Sequence, residues 1–120
     1  FVEGQGSIVH PAYSAVTCGI LHGSMPDSMV LCHSAGREAI HGYESFSLPS
    51  LDEYVDLYEN LAAPVHEGEV VAGALNTSDI EDDAEAQAAV DAYAEELGRP
   101  ATDVVRFDAD AVLDAILGAE

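Results

Sequence analysis

The segment VVAGALNTSDIEDDAEAQAAVDAYAEELGRPATDVVRF, residues 70–107, decides the fold. Val70 to Leu75 is apolar on both faces, the pattern of a strand buried in a parallel sheet. Ser78 and Glu81 then have the S-x-x-E spacing of a capping box, and Asp82 and Asp83 stand where a helix dipole favours negative charge. Ala86, Ala89, Val90, Tyr93 and Leu97 recur at helical spacing and predict the inward stripe. Gly98 suits the left-handed residue just past a helix end, and Pro100 blocks continuation. Thr102 to Phe107 reads as the next strand. A strand, a helix and a strand in this order imply a right-handed βαβ crossover.

The same alternation extends upstream and downstream. Phe1 and Val2 read as the tail of a strand, and Tyr13 to Gly23 as a short helix stopped by Gly23 and Pro26. Met29 to His33 is a short apolar run of the buried-strand type, followed by a polar loop from Ser34 to Pro49. Ser50 and Glu53 form a second capping box. Leu51, Tyr54, Val55, Tyr58, Leu61 and Ala62 follow at helical spacing, and Pro64 ends that helix. Asp108 is placed to cap a last helix with Ala109, Val112, Leu113 and Ile116 on its apolar face. The expected class is α/β, a mostly parallel sheet flanked by helices, in a single partial domain over residues 1–120.

Composition limits the partners. The 120 residues include 23 acidic side chains against three arginines and no lysine, a formal charge of −20. Phosphate backbones and anionic membrane surfaces need a basic patch that this chain lacks, so neither nucleic acid nor membrane is an expected partner. Self-repulsion of this size favours a salt-rich medium, and a halophilic origin is expected. No apolar run approaches the roughly 18 residues of a membrane span, and no charged leader opens the sequence, so a cytoplasmic location is expected. Cys18 and Cys32 lie in apolar strings and read as reduced, buried thiols. Cys18, His22, Cys32 and His33 lack the spacing of a metal motif, and G-x-S-x-G is absent.

Ligands of open α/β sheets bind outside the carboxyl ends of the strands. That rule selects the loops after Val2, His33, Leu75 and Val105. In the first, Glu3, Gly4, Gln5, Gly6 and Ser7 can hold a divalent cation and bring backbone N–H groups to an anion, or can form a tight turn. Arg37, after His33 and Gly36, is either a bidentate anion donor or a neutraliser of nearby acids. Asn76 either orients a ligand base or makes a turn. Arg106 completes the set.

VEGQGSIVHPAYSAVTCGILHG (residues 2–23), PDSMVLCHSAGR (26–37), ALNTS (74–78) and LGRPATDVVRF (97–107) together resemble the C-terminal, P-loop-type domain of the D-glutamate N-acetyltransferase-like proteins. In that family a Rossmann-like domain comes first, and the second domain is similar to dethiobiotin synthetase. The glycine-rich phosphate loop with its lysine lies upstream of the EGQG block. The resemblance therefore implies a C-terminal portion of a P-loop NTPase-like domain, with the missing N-terminal part of the same protein as its partner.

By this resemblance Glu3 matches an acid near Mg²⁺ and phosphates, and Gly4, Gln5, Gly6 and Ser7 match the loop around it. His10, Pro11, Tyr13 and Ser14 match a substrate-side segment, His33, Gly36 and Arg37 a further block, and Asn76 an asparagine used against a purine base. The implied activity is acetyl transfer from acetyl-CoA to D-glutamate or a similar acidic amino acid, with His10 as base and Arg37 on a substrate carboxylate. ATP with Mg²⁺, in a ligase or kinase, is the alternative, and a non-catalytic assembly domain a third. A homo-oligomer is expected, because an open sheet edge needs cover.

Overall fold

The computed structural model describes residues 1–4, 8–36, 39–40, 43–47 and 49–118, with backbone alone at 39–40 and 43–47. The order of elements is α1 (Ser14–Ser24), β1 (Ser28–Ser34), β2 (Ala39–Ile40), β3 (Tyr43–Ser47), α2 (Leu51–Ala62), β4 (Glu69–Asn76), α3 (Asp83–Leu97), β5 (Ala101–Thr102) and α4 (Asp110–Gly118). They divide into two units, Phe1–Asp27 with Glu38–Glu69, and Ser28–Arg37 with Val70–Glu120.

The second unit holds the βαβ arrangement. Its sheet has the order β1-β4-β5. β5 runs parallel to β4, with Gly73 opposite Ala101 and Ala74 opposite Thr102. The Ala35 N–H donates to the Asn76 carbonyl at 2.9 Å, which joins the carboxyl ends of β1 and β4 and makes that pair parallel too. Ala86, Val90, Tyr93 and Leu97 of α3 are buried, together with Leu31, Val70, Ala72, Leu75 and Val112. Only glycine fits at 73: a Cβ there would meet the Tyr93 ring and lie 2.7 Å from Leu97 Cδ2. Close approach of α3 to β4 at this point lets the Tyr93 hydroxyl donate to the Leu31 carbonyl at 2.8 Å.

The first unit packs α1 against α2. Leu21 is buried on α1, and Leu51, Tyr54, Val55 and Ala62 are buried on α2. His22 Nε2–H donates to the Leu61 carbonyl at 2.6 Å. The capping box at Ser50 and Glu53 is present, with both reciprocal bonds. β2 and β3 pair antiparallel.

Several boundaries differ from the reading of the sequence. Phe1 and Val2 lie outside any strand and are exposed. Gly23 does not stop α1, which continues to Ser24 and ends where Met25 turns left-handed at φ 47°. The stretch from Ser34 to Pro49 contains β2 and β3, whose Tyr43 and Phe46 are good strand formers that a polar-loop reading passed over. α3 is capped by Asp82, whose carboxylate accepts from the Glu85 N–H at 3.0 Å, and not by Ser78. The reason is a competitor: the Arg106 guanidinium takes the carbonyls of Ile80 and Glu81, which a helix begun at Ser78 would need for its own bonds.

The last strand is shorter than predicted. After Thr102 the Asp103 carboxylate accepts from the N–H groups of Val105 and Arg106 at 3.1 and 3.2 Å, turning the chain. Val104 and Val105 are therefore exposed despite their strand propensity. Asp108 does act at the start of α4, accepting from the Asp110 N–H at 2.6 Å, but Leu113 is exposed and Val112 carries the burial. Neither cysteine is in a disulfide; Cys18 is half-buried and Cys32 exposed, so Cys32 is not the buried thiol expected. Among the described residues no helix is long and apolar enough to cross a membrane.

Candidate functional site

Two regions gather the residues singled out by the sequence. In the first unit, Glu3 and Gly4 are exposed, and Gln5, Gly6 and Ser7 lie outside the described residues. His10 opens α1: its carbonyl accepts from the Tyr13 and Ser14 N–H groups at 3.0 and 2.9 Å, which accounts for the place of Ser14 at the helix start. Its Nδ1 accepts from the Ala12 N–H at 3.1 Å, so the neutral ring carries its proton on Nε2. The exposed Tyr13 lies with its ring 4.7 Å from that of His10. A histidine with this tautomer is basic at Nδ1, the atom already engaged.

In the second unit the carboxyl ends of the strands gather His33, Gly36, Asn76 and the turn after β5. His33 stacks flat on Tyr93, with centroids 6.0 Å apart and planes within 4°. Burial first, and then the charges of Cys32 and Glu96, push the Tyr93 hydroxyl far above its ordinary range, so it stays a neutral donor. Gly36 has φ +76°, a conformation that glycine adopts without strain. Arg37 lies outside the described residues.

Asn76 is exposed, and its Oδ1 accepts from the Ser78 N–H at 2.9 Å. The residue between these two is the best-anchored one in the loop. Thr77 is fully buried, and its N–H and hydroxyl both donate to Asp103 Oδ2, at 3.0 and 2.6 Å. Burial alone would raise the Asp103 carboxyl, but the bonds from Thr77, Val105 and Arg106 outweigh it and hold the group below the usual carboxylate range. Arg106 adds a second tie. It donates to the carbonyls of Thr77 and Glu81 at 3.0 and 2.8 Å, to that of Ile80, and to Asp83 Oδ1 at 2.8 Å.

The turn after β5 thus dictates the course of the loop after β4. Asn76 and Arg106 are legible in the sequence as strand-end residues, whereas Asp103 and the role of Thr77 are not. The available signal was an aspartate directly after a strand threonine, with one of only three arginines following it. Among the described residues no group of three or more His, Cys, Asp or Glu side chains is placed to hold a metal ion. Of the histidines weighed for a metal in the sequence, His22 donates to the Leu61 carbonyl in the first unit, and the His33 ring lies on Tyr93 in the second.

Over residues 1–113 the chain matches a family model described as "Domain of unknown function (DUF1611_C) P-loop domain". It is 34% identical over 116 residues to a protein of Tritonibacter scottomollicae named D-glutamate N-acetyltransferase, covering 96% of this chain and 34% of that one. A Pseudoalteromonas protein of the same name is 33% identical over 115 residues, with 93% and 34% covered. A crystal structure of a DUF1611 family protein from Anabaena variabilis is similar with a TM-score of 0.90 and 39% identity, covering 97% of this chain and 34% of the other. The chain spans about a third of the length of the curated relatives it matches.

Proposed function

The chain belongs to the DUF1611 family, as its C-terminal P-loop domain, and from that premise we propose that it serves an N-acetyltransferase acting on D-glutamate or a similar acidic amino acid, with acetyl-CoA as donor. The observation that carries this reading is the name shared by two relatives whose identity to the chain runs through nearly all of it. The activity is proposed for the whole protein of which such a domain is part.

The reaction sets clear requirements. The substrate arrives as an ammonium ion, and its nitrogen must lose a proton before it attacks the thioester carbonyl and expels the thiolate of CoA. His10 is the proposed base through Nδ1, which exchanges the Ala12 N–H for the substrate amine. Backbone N–H groups of residues 4–7 are the proposed donors to the oxyanion, and Arg37 the partner of a substrate carboxylate. Asn76 is proposed to meet the adenine ring of the donor.

The description of the family as a P-loop domain favours a second reading, an ATP-dependent ligase or kinase. Glu3 then stands near Mg²⁺. A lone exposed carboxylate fits this ion, which keeps most of its waters and takes its remaining ligands from phosphates.

The test is thiol release from acetyl-CoA by the full-length protein with D-glutamate. Turnover is expected, and His10→Ala is expected to lower kcat by roughly 100-fold or more. Unchanged turnover in that variant would remove His10 as base. Phosphate or ADP production from Mg-ATP, with no thiol release, would replace the first reading by the second.

A further inference from the structure

The carboxamide of Asn76 is more constrained than an exposed side chain need be. Its Oδ1 is fixed by the Ser78 N–H, which also settles which end of the amide is oxygen. The second lone pair of Oδ1 and the Nδ2 donor have no partner among the described residues. Together they are the acceptor and donor that pair with the N6–H and N7 edge of adenine.

What keeps this geometry lies one residue on and 26 residues further. Thr77 sits between Asn76 and Ser78 and is fully buried. Both of its donors end on one Asp103 oxygen, at 3.0 and 2.6 Å. The other Asp103 oxygen holds the N–H groups of Val105 and Arg106. The charge around the loop selects the part of a ligand that can approach. Asp79, Glu81, Asp82 and Asp83 are all exposed there, and they repel phosphate but not an uncharged ring.

We infer that Asp103 and Thr77 are positioning residues for purine recognition: their bond sets the backbone of 76–78, so that the Asn76 carboxamide presents its free edge to adenine. The inference rests on the proposal that the domain takes an adenine-bearing donor. Adenine is common to CoA and ATP, and the shared ring is what this edge would read.

Calorimetric titration of the full-length protein with ADP, GDP, CoA and phosphopantetheine tests it. The unchanged protein is expected to prefer ADP to GDP, or CoA to phosphopantetheine, by on the order of tenfold. A preference confined to the first pair assigns the edge to ATP, and one confined to the second pair to CoA. Thr77→Val should bring the preference close to one, while Thr77→Ser, which keeps the hydroxyl, should restore it. Asn76→Asp, a change at an exposed position, should lose it without disturbing the core.

Retention of the preference in a folded Thr77→Val protein would overturn the positioning role, as would absence of any preference in the unchanged protein. Acetyl transfer to D-glutamate without purine preference would remove this inference and leave the proposed function standing. Purine preference without acetyl transfer would do the reverse.

Discussion

Gly73 shows how much a single position decides. It lies where α3 crosses β4, and a Cβ there would collide with the Tyr93 ring and stand 2.7 Å from Leu97 Cδ2. The ring cannot simply swing away, because its hydroxyl is tied to the Leu31 carbonyl at 2.8 Å in a buried position. Overpacking of this kind costs typically 1–3 kcal/mol. Gly73→Ala is therefore expected to lower the urea midpoint by an amount equivalent to about 2 kcal/mol, with the slope of the transition unchanged. A midpoint equal to that of the unchanged protein would show that α3 moves off the sheet at little cost. Nothing in VVAGAL marked this glycine as required, since its neighbour in space is 20 residues away in Tyr93.

Helices that are built on local signals were legible in the sequence, and segments shaped by distant partners were not. α2 begins at its capping box and buries Leu51, Tyr54, Val55 and Ala62 of the stripe its spacing indicated, with Tyr58 and Leu61 half-buried, because Ser50, Glu53 and the apolar stripe all lie within one element. α3 kept its stripe and its Gly98 stop, at φ +71°, but its start moved from Ser78 to Asp82. The cause, Arg106, is 23 residues beyond Asp83. The candidate site follows the same rule. Asn76 was legible as a strand-end residue, whereas Asp103 gains its role only through Thr77, 26 positions earlier.

Arg106 makes this testable at the level of the element. Its bond to Asp83 has little weight, because that carboxylate is 84% exposed and screened. The bonds to the carbonyls of Thr77, Ile80 and Glu81 are what hold the loop. Arg106→Lys keeps the charge but loses the planar fork. It is expected to cost about 2 kcal/mol, in the range of hydrogen bonds to a charged group. Hydrogen exchange should accelerate at the amides of Ile80 and Ala86, both bonded within this region, and stay slow at Gly73 in the sheet. Uniform acceleration everywhere would mean that Arg106 supports the whole unit and not this loop.

At the scale of the molecule the dominating quantity is the charge of −20. At roughly 1 M salt the screening length falls to about 3 Å, so repulsion among surface carboxylates largely disappears. Asp110 reports that repulsion locally: the charge of Asp108, with a side-chain bond that protonated Asp110 donates to it, raises the Asp110 carboxyl, and Asp114 adds to the effect. Asp103 is displaced the other way. The signs lead to a definite curve. A carboxyl raised in the folded state binds its proton more tightly there, so protonation favours folding as pH falls toward its folded value. A carboxyl lowered in the folded state contributes stability above its unfolded value and loses it as pH falls through the folded one. At low salt, stability should therefore increase from neutral pH into the weakly acidic range and collapse below the ordinary carboxylate range, where Asp103 takes up its proton. In molar KCl the increase should vanish, because screening has already removed the repulsion, while the acid collapse should persist, because Asp103 is 6% exposed and its partners are fixed. Thermal unfolding across this pH range at about 0.1 M and 2 M KCl measures both limbs. Asp103→Asn should flatten the acid limb alone. An acidic increase of equal size at both salt concentrations would show that surface repulsion is not what limits this fold.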